Sequence, residues 1–212
     1  MDKFEKISDS VIKGSIAKVE ELVQSAIEQG LNPQEIINYG LISGMNVVGK
    51  RFKAGEMFVP EVLLSARSMK NGMKLVQPLL LEDEIEDAGK VIIGTVEGDL
   101  HDIGKNLVGM LMESGGLEVI NLGVDISAAG FVDAVREHKP DVLGMSALLT
   151  TTMLEMKNTI EVLIEEGLRE TTKIIVGGAP VTQEFADEIG ADGWAPDAAS
   201  AKDLVFELTK AK

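Results

Sequence analysis

The sequence predicts two domains of different class: an all-α four-helix bundle over residues 1–80 and a parallel α/β domain over residues 90–212. Apolar residues recur at helical spacing up to about residue 80. Beyond about residue 90, short β-branched runs alternate with amphipathic segments, as in βα units. Between the two lies an acidic stretch without sustained periodicity, residues 81–89, which ends in Gly89 and is the predicted linker.

Composition and charge limit the classes of function. The chain has 212 residues, a length that suits one or two domains, and 45% hydrophobic but only 4% aromatic residues indicate aliphatic cores. Residues 1–88 carry 10 basic and 14 acidic side chains (−4), and residues 89–212 carry 10 and 21 (−11), which together give the net charge of −15. This balance argues against a nucleic-acid partner, because phosphate binding draws on clustered Lys and Arg.

The sequence lacks cysteine and long apolar runs, which narrows the possible classes of protein further. Without cysteine, a disulfide framework or a thiolate metal site is impossible, so a metal would need histidine or carboxylate ligands. The N-terminus is charged and no run of about 18 apolar residues occurs, so we expect a cytoplasmic protein with no membrane segment.

Four amphipathic segments predict the bundle. Asn32 and Pro33 mark a helix start, as N-cap and first helical residue, and Pro60 is expected to open the fourth helix. Short connections between four helices are typical of a bundle. The four apolar stripes are Phe4, Ile7 and Val11; Ile16, Val19, Val23 and Ile27; Ile37, Leu41, Met45, Val48 and Phe52; and Val62, Ala66, Met69, Met73 and Val76.

Five short aliphatic runs predict the strands of the second domain. Five strands in about 120 residues favour a flavodoxin-like (Rossmann-type) sheet of order 2-1-3-4-5, in which ligands bind at the carboxyl ends of strands one and three. The predicted strands are residues 91–93, 117–120, 142–145, 174–176 and 193–195.

The unusual residues follow these strands. A polar loop with His101 follows strand one, Ser146 and three consecutive threonines follow strand three, and Gly177-Gly178 follows strand four. We expect the three segments to converge on one crevice. At least one of Thr150, Thr151 and Thr152 should cap the next helix, while the surplus hydroxyls could bind a ligand or continue a relay to Asp99.

His101 has two interpretations. Flanked by Asp99 and Asp102, it could simply be a loop histidine hydrogen-bonded to Asp99. A carboxylate beside one ring nitrogen also leaves the other nitrogen to bind metal, which suits a single axial ligand. A zinc site is disfavoured, because the other histidine, His138, lies at the end of a predicted helix. Gly104 and Gly177-Gly178 would let the backbone pass close to a bulky group, although tight turns explain each singly.

These motifs carry a family resemblance. Asp99-x-His101-x-x-Gly104, followed by Ser146-x-Leu148 and Gly177-Gly178, resembles the cobalamin-binding fingerprint of methionine synthase, carbon-skeleton mutases and corrinoid methyl carriers. Residues 44–49 and 52–60, with Ser65-Ala66, resemble the four-helix cap of methionine synthase and of small corrinoid proteins that serve methanol, methylamine and methoxy-compound methyltransferases. The resemblance covers nearly the whole chain and leaves no room for further modules, so a stand-alone carrier is expected.

The resemblance implies roles for individual residues. His101 would be the lower axial ligand of cobalt in place of the cofactor's benzimidazole (base-off/His-on), with Asp99 and Thr152 as its relay. Phe52 and Val59, with Val62, would lie over the methyl face of the corrin ring. The remaining cofactor-binding residues implied are Gly98, Asp102, Ile103, Gly104, Ser146, Leu148, Thr150, Gly177, Gly178 and Ala199.

The function implied is that of a corrinoid protein, not catalytic alone, that carries a methyl group on cobalt. A donor-specific methyltransferase would supply the methyl group, an acceptor methyltransferase would pass it to tetrahydrofolate or a thiol coenzyme, and a reactivation protein would restore oxidised cobalt. The bundle would swing aside at the linker during these steps. The donor, whether methanol, a methylamine, a betaine or a methoxyaromatic compound, is not specified.

Three other functions share part of this pattern. A cobalamin-binding isomerase subunit would have the Asp99 and His101 motif but no use for a methyl cap, so the helical half argues against it. A cobalamin-sensing regulator would need a basic recognition helix, which residues 1–80 lack. A flavodoxin-like signalling domain would bind no corrinoid.

Overall fold

The chain divides into two units, residues 1–87 and 88–212, in a computed structural model that describes residues 2–80 and 89–210. The predicted linker, residues 81–89, lies outside the described residues except for Gly89. The domain boundaries therefore stay predictions. Each unit is described by itself.

The N-terminal unit is a bundle of helices, as predicted. Its elements are α1 (Lys3–Ile12), α2 (Ile16–Glu28), α3 (Pro33–Glu35), a π-helical segment (Ile36–Ile42), α4 (Ser43–Lys53), α5 (Val59–Val76) and a 3-10 turn (Gln77–Leu79). The Asn32 side chain caps α3 by accepting the Glu35 N–H, which is the predicted helix start. The predicted stripes meet in its core, where Ile7, Val23, Leu41, Val48 and Met69 are at most 1% exposed.

Two details of the bundle differ from the prediction. The third helix contains the π-helical turn Ile36–Ile42, and α5 begins at Val59, one residue before Pro60. Gly44 shows why this helix needs small residues: a Cβ there would lie 2.8 Å from Val11 Cβ and 2.9 Å from the Ser8 carbonyl oxygen. The backbones of α1 and α4 therefore approach closely, which hydrophobic periodicity does not reveal.

The second unit alternates strands and helices along the chain. Its elements are β1 (Lys90–Thr95), α6 (Ile103–Ser114), β2 (Glu118–Asn121), α7 (Ala128–His138), β3 (Val142–Ser146), α8 (Leu154–Glu165), a 3-10 turn (Arg169–Thr171), β4 (Lys173–Gly177), α9 (Gln183–Ile189), β5 (Gly193–Ala195) and α10 (Ala198–Lys210). The five predicted strands match these five to within two residues at either end. His138 is the last residue of α7, as expected.

The sheet is parallel with strand order β2-β1-β3-β4-β5, which confirms the predicted flavodoxin-like topology. Strand side chains alternate between two faces. One face packs on α7, α8 and α9 through a core that includes Ile92, Leu143 and Val176. The other packs on α6 and α10 through a core that includes Ile93, Ile175 and Val205. The carboxyl ends of β1 and β3 are neighbours, so the loops that follow them share one edge.

Across residues 2–80 and 89–210, none of the helices is both long and apolar enough for a membrane span. The cytoplasmic location expected from the sequence stays a prediction.

Candidate functional site

The loops after β1 and β3 meet around the Asp99 carboxylate. Asp99 has no solvent exposure, and both of its oxygens accept hydrogen bonds. Oδ1 accepts from the backbone N–H of His101 (3.1 Å) and lies 2.7 Å from the Nδ1 atom of the same residue. Oδ2 accepts from the N–H groups of Leu148 (2.7 Å) and Leu149 (3.2 Å) and from the Thr152 hydroxyl (2.8 Å). Five contacts thus tie the two loops to one side chain.

These hydrogen bonds keep Asp99 ionised. Burial by itself would raise the pKa of the Asp99 carboxyl, because it removes water from the charged form. The Leu148 N–H, the His101 ring and N–H, and the Thr152 hydroxyl outweigh burial and hold the pKa of Asp99 well below its usual range. A carboxylate is therefore the form that faces His101.

An ionised Asp99 sets the tautomer of His101. Because Oδ1 can only accept, the proton of the neutral imidazole resides on Nδ1 and the lone pair is on Nε2. The His101 side chain is 52% exposed, and no described residue forms a hydrogen bond at Nε2. The site therefore offers one oriented, accessible nitrogen ligand.

Thr152 is the hydroxyl that reaches Asp99. Its Oγ1 lies 2.8 Å from Asp99 Oδ2 and 3.0 Å from the Leu149 carbonyl oxygen, so its single proton has two alternative acceptors. Thr150 is exposed at the surface of the same turn. The expectation that one of the three threonines caps the next helix is wrong, because the N-cap of α8 is Met153, which forms no side-chain cap.

A row of small residues crosses the sheet beside this loop. Strand register aligns Thr95 with Ser146, Ser146 with Gly177, and Gly177 with Ala195. Side chains two residues apart on a strand point to the same face of the sheet, so Thr95 and Gly177 share the face of Ile93 and Ile175. That is the face that packs on α6 and α10, and the whole row lies on it. Four strands thus lack bulky side chains at the same level, between the starts of two helices. This row of small residues, Thr95, Ser146, Gly177 and Ala195, is called the trench below.

The three glycines near the trench differ in what a side chain at their position would contact. A Cβ at Gly104, in the first turn of α6, would meet no atom within 4 Å, so this position faces open space. Gly178 has φ +127°, and a Cβ there would lie 1.8 Å from the Ala147 carbonyl oxygen. Gly178 is therefore required by the chain's own backbone, which agrees with the tight turn kept above as an explanation for this glycine. Gly177 is less constrained, with a Cβ 3.3 Å from the Ala195 oxygen.

Exposed apolar side chains, here called the rim, lie on the two loops that meet at Asp99, beside His101 in sequence or bound to Asp99 through the backbone. Leu100 is 70% exposed and Ile103 is 76% exposed, which is unusual for side chains of this size. Leu148 and Leu149, whose N–H groups bind Asp99, expose 43% and 42% of their surface. An accessible imidazole inside an apolar rim suits a large, flat and largely apolar ligand.

Other predicted residues have supporting positions. Asp102 precedes α6 and accepts the Asn106 side-chain amide at 2.8 Å. Ala199, in the first turn of α10, is 2% exposed, and its N–H donates to Asp197. In the helical unit, Phe52 and Val59 are half-buried, but Val62 is fully buried. Val62 therefore cannot present its side chain to a ligand without repacking of the bundle.

One supporting residue was missed from the sequence. Asp125, in the loop after β2, accepts the Gly98 N–H at 2.7 Å and donates its own N–H to the Asp99 carbonyl oxygen at 3.1 Å. Both Gly98 (φ +76°) and Asp125 (φ +57°) have left-handed backbone conformations. Asp125 thus supports the turn that carries Asp99. Its position 26 residues further along the chain has no local sequence signal.

Comparison with known proteins identifies the family. Residues 89–202 match a family model described as B12 binding domain, and residues 3–77 match a second model of the same description. The chain belongs to the B12-binding corrinoid proteins. Its cofactor is cobalamin, and the recognition made from the three sequence motifs is confirmed.

Corrinoid proteins of bacteria and archaea resemble the chain over nearly their whole length. A corrinoid protein of Desulfitobacterium hafniense (strain Y51) is 45% identical over 211 residues, which is 98% of each chain. Dimethylamine corrinoid protein 3 of Methanosarcina acetivorans is 43% identical over 203 residues, 96% of this chain and 95% of that protein. A chain in the crystal structure of the methanol:cobalamin methyltransferase complex of Methanosarcina barkeri is 32% identical, with a TM-score of 0.86 over 99% of this chain and 80% of that chain.

The trench, the open position at Gly104 and the apolar rim all fit a corrinoid. Cobalamin carries a flat ring and an elongated nucleotide tail, and the site offers a rim for the first and a trench of small residues for the second. The predicted roles of individual residues remain proposals.

Proposed function

We propose that this chain holds cobalamin base-off with His101 as the lower ligand of cobalt and carries a methyl group between two methyltransferases. The observation that supports the ligand role is the fixed tautomer of His101: a buried, ionised Asp99 binds Nδ1 and leaves Nε2 accessible. In the proposed function the chain is not an enzyme alone, since the protein orients the cofactor and the cofactor reacts.

When bound, the cofactor supplies a cobalt centre whose affinity for a lower nitrogen ligand changes as the methyl group is gained and lost. In the proposed function, the chain keeps His101 Nε2 oriented and accessible. The ionised Asp99 orients the His101 ring through the contact at 2.7 Å, and Thr152 keeps Asp99 in place from the other side. In the proposed function, a proton taken up on release of His101 would be held by the His101, Asp99 and Thr152 network.

We assign the trench to the nucleotide tail. Ser146 and Gly177, with Thr150 and Ala199 at its sides, are the residues proposed to contact it. The ring would lie over the rim formed by Ile103 and Leu148, beside Gly98, Asp102 and Gly104. Gly178 contributes by fixing the backbone of the loop after β4 against Ala147.

For the helical unit we propose the role of a cap that protects the upper face of the cofactor, through Phe52 and Val59. Phe58, at the start of α5, is 67% exposed and is a further candidate that sequence patterning did not single out. Val62 supports this role from inside the bundle. The linker at residues 81–89 is proposed to let the cap move when a partner docks.

The relatives suggest the partners. One relative is named for dimethylamine and another forms part of a methanol:cobalamin methyltransferase complex, so we propose a methylamine or methanol methyltransferase as the donor side. An acceptor methyltransferase that uses tetrahydrofolate or a thiol coenzyme, and a reactivation protein, complete the proposed system in the cytoplasm. The names of these relatives favour the methyl carrier over the isomerase, regulator and signalling alternatives.

The carrier function is tested by methylation of the bound cofactor. The protein is loaded with hydroxocobalamin, reduced, and mixed with the methyltransferase that co-purifies with it from its own cells. Methanol, the three methylamines, glycine betaine and a methoxyaromatic compound are each supplied while the absorbance of the cofactor is followed. One donor class should methylate it. Failure of every donor, in a preparation that methyl iodide does methylate, would contradict the carrier role.

A further inference from the structure

Lys105 is a buried lysine that the cobalt-ligand argument does not use. It lies in the first turn of α6 and is 5% exposed. Its Nζ donates to the side-chain oxygens of Asn106 at 2.9 Å and Asn121 at 2.6 Å. No described carboxylate forms an ion pair with it. Burial lowers the pKa of Lys105 below its usual value, and the nearby charge of Asp102 opposes this effect only in part.

A buried ammonium group with only amide partners is costly. Charged groups are rarely buried without a counter-ion, because the loss of hydration exceeds what neutral acceptors return. Packing of α6 on the sheet would be served as well by an apolar side chain of the same length. The presence of Lys105 is therefore better explained by a function than by stability.

The contacts of Lys105 connect two loops of the site. Asn106 Oδ1 accepts from Lys105 Nζ and also from Asn121 Nδ2 at 2.9 Å, while Asn106 Nδ2 donates to Asp102 Oδ2 at 2.8 Å. Asn121, the last residue of β2, accepts in turn from the Gly123 N–H at 3.0 Å. The chain of hydrogen bonds runs from the end of β2 to the residue that follows His101.

We propose that Lys105, through Asn106 and Asn121, is a positioning residue for His101. Asn106 binds Asp102 twice, by its side chain and by its backbone N–H to the Asp102 carbonyl oxygen at 2.8 Å. Thr95 Oγ1 donates to the His101 carbonyl oxygen at 3.0 Å. Asp99 orients the ring, whereas the Lys105 network holds the backbone on the other side of His101. This inference rests on the proposed function, since it concerns how that ligand is presented.

The test substitutes Lys105→Met, which keeps the length and removes the charge. Loaded with methylcobalamin, the variant should show a His-on equilibrium constant about ten-fold lower than the wild type by absorbance, the loss typical for supporting residues of metal ligands. The melting temperature of the cofactor-free variant should stay within a few degrees or rise. Lys173→Met, which removes a lysine at the opposite end of the same sheet, is the matched control and should leave both quantities unchanged.

A second variant, Asn121→Ala, removes the shared acceptor and keeps the lysine. It should weaken His-on coordination about as much as Lys105→Met does. In the cofactor-free protein, it should also speed amide hydrogen exchange at Gly123. If Lys105→Met does not fold, Asn121→Ala alone tests the proposal. If both variants keep full His-on coordination, the positioning role of Lys105 is wrong while the proposed function stands. The same holds if the His-on constant falls only together with the melting temperature of the cofactor-free protein. A wild type that is itself not His-on overturns the proposed function instead.

Discussion

At the residue scale, Asp99 combines properties that rarely occur together. It is a fully buried carboxylate, and no lysine or arginine among the described residues pairs with it. Its charge is stabilised by three backbone N–H groups, one hydroxyl and one imidazole. All five donors belong to the loops after β1 and β3, which form the site. The side chain therefore acts at once as a structural centre and as the group that orients His101.

Asp99→Asn should damage both functions. An amide in place of the carboxylate directs an NH₂ group at a backbone N–H whichever way it is turned, because both oxygens accept from backbone donors. An NH₂ group on the His101 side would also favour the imidazole tautomer with its proton on Nε2, which lacks the metal-binding lone pair. We expect a loss of roughly 2–4 kcal/mol in the free energy of unfolding at pH 7, with a sharply reduced His-on fraction. Urea denaturation and the absorbance of the bound cofactor measure the two effects.

The stability effect should depend on pH in a defined direction. The folded pKa of Asp99 lies below its unfolded value of about 4, so its contribution is fully present above that value and is lost as the pH falls through the folded pKa. The gap between wild type and Asp99→Asn should therefore narrow only below about pH 4. Asp133→Asn, at an exposed position of α7, is the control, and an equal loss there would contradict the assignment.

At the scale of elements, the strands carry the trench. Thr95, Ser146, Gly177 and Ala195 come from four strands, and only their parallel register brings them to one level. A group that extends between α6 and α10 needs this whole row to be small. The site is therefore a property of the sheet, not of a single motif.

Ser146→Leu tests the trench. The larger side chain would occupy space on the α6 and α10 face, so we expect the Kd for hydroxocobalamin to rise at least about ten-fold while the apo-protein melts within a few degrees of the wild type, since Ser146 is half-exposed. Absorbance titration gives the Kd. Met145→Leu, on the opposite face of the same strand, should bind normally. Equal affinities for the two variants would remove the trench from the binding site.

Much of this arrangement could be predicted from the sequence, because it follows from local pattern. β-Branched or aliphatic runs marked four strands, and Gly193-Trp194-Ala195 marked the fifth more weakly. One topological rule placed His101, Ser146 and the Gly177-Gly178 pair at one edge. The contacts that pass between loops could not be predicted. Asp125 with Gly98, Lys105 with Asn121, and Gly178 with Ala147 join residues that are 16 to 31 positions apart, and nothing in their local sequence indicates a partner.

The bundle shows the same limit. Its apolar stripes were visible as a period, but this period does not indicate the π-helical turn Ile36–Ile42. The close approach at Gly44 involves Val11 and Ser8 of α1, which lie elsewhere in the chain. The threonine run was misjudged for a related reason. Thr152 is turned toward Asp99, 53 residues away, instead of toward the helix that follows it.

At the scale of the whole molecule, the proposed function assigns one cofactor to two units of different class. The acidic α/β unit carries His101 and the trench, and its charge of −11 would draw basic surfaces of partner enzymes toward it. The helical unit is proposed to cover the reactive face and to withdraw. Both roles depend on a cofactor whose lower ligand comes from the protein, so coordination by His101 is the central claim.

Electron paramagnetic resonance of the bound cofactor in its cobalt(II) state tests that claim most directly. The protein is produced with ¹⁵N-labelled histidine only, and its spectrum is compared with that of unlabelled protein. Coordination by a histidine converts the triplet splitting from the axial nitrogen into a doublet, because the two isotopes differ in nuclear spin. His101→Ala should abolish the doublet, whereas His138→Ala should keep it. A triplet that persists in the labelled wild type would show that the cofactor's own base is the ligand and would contradict the account.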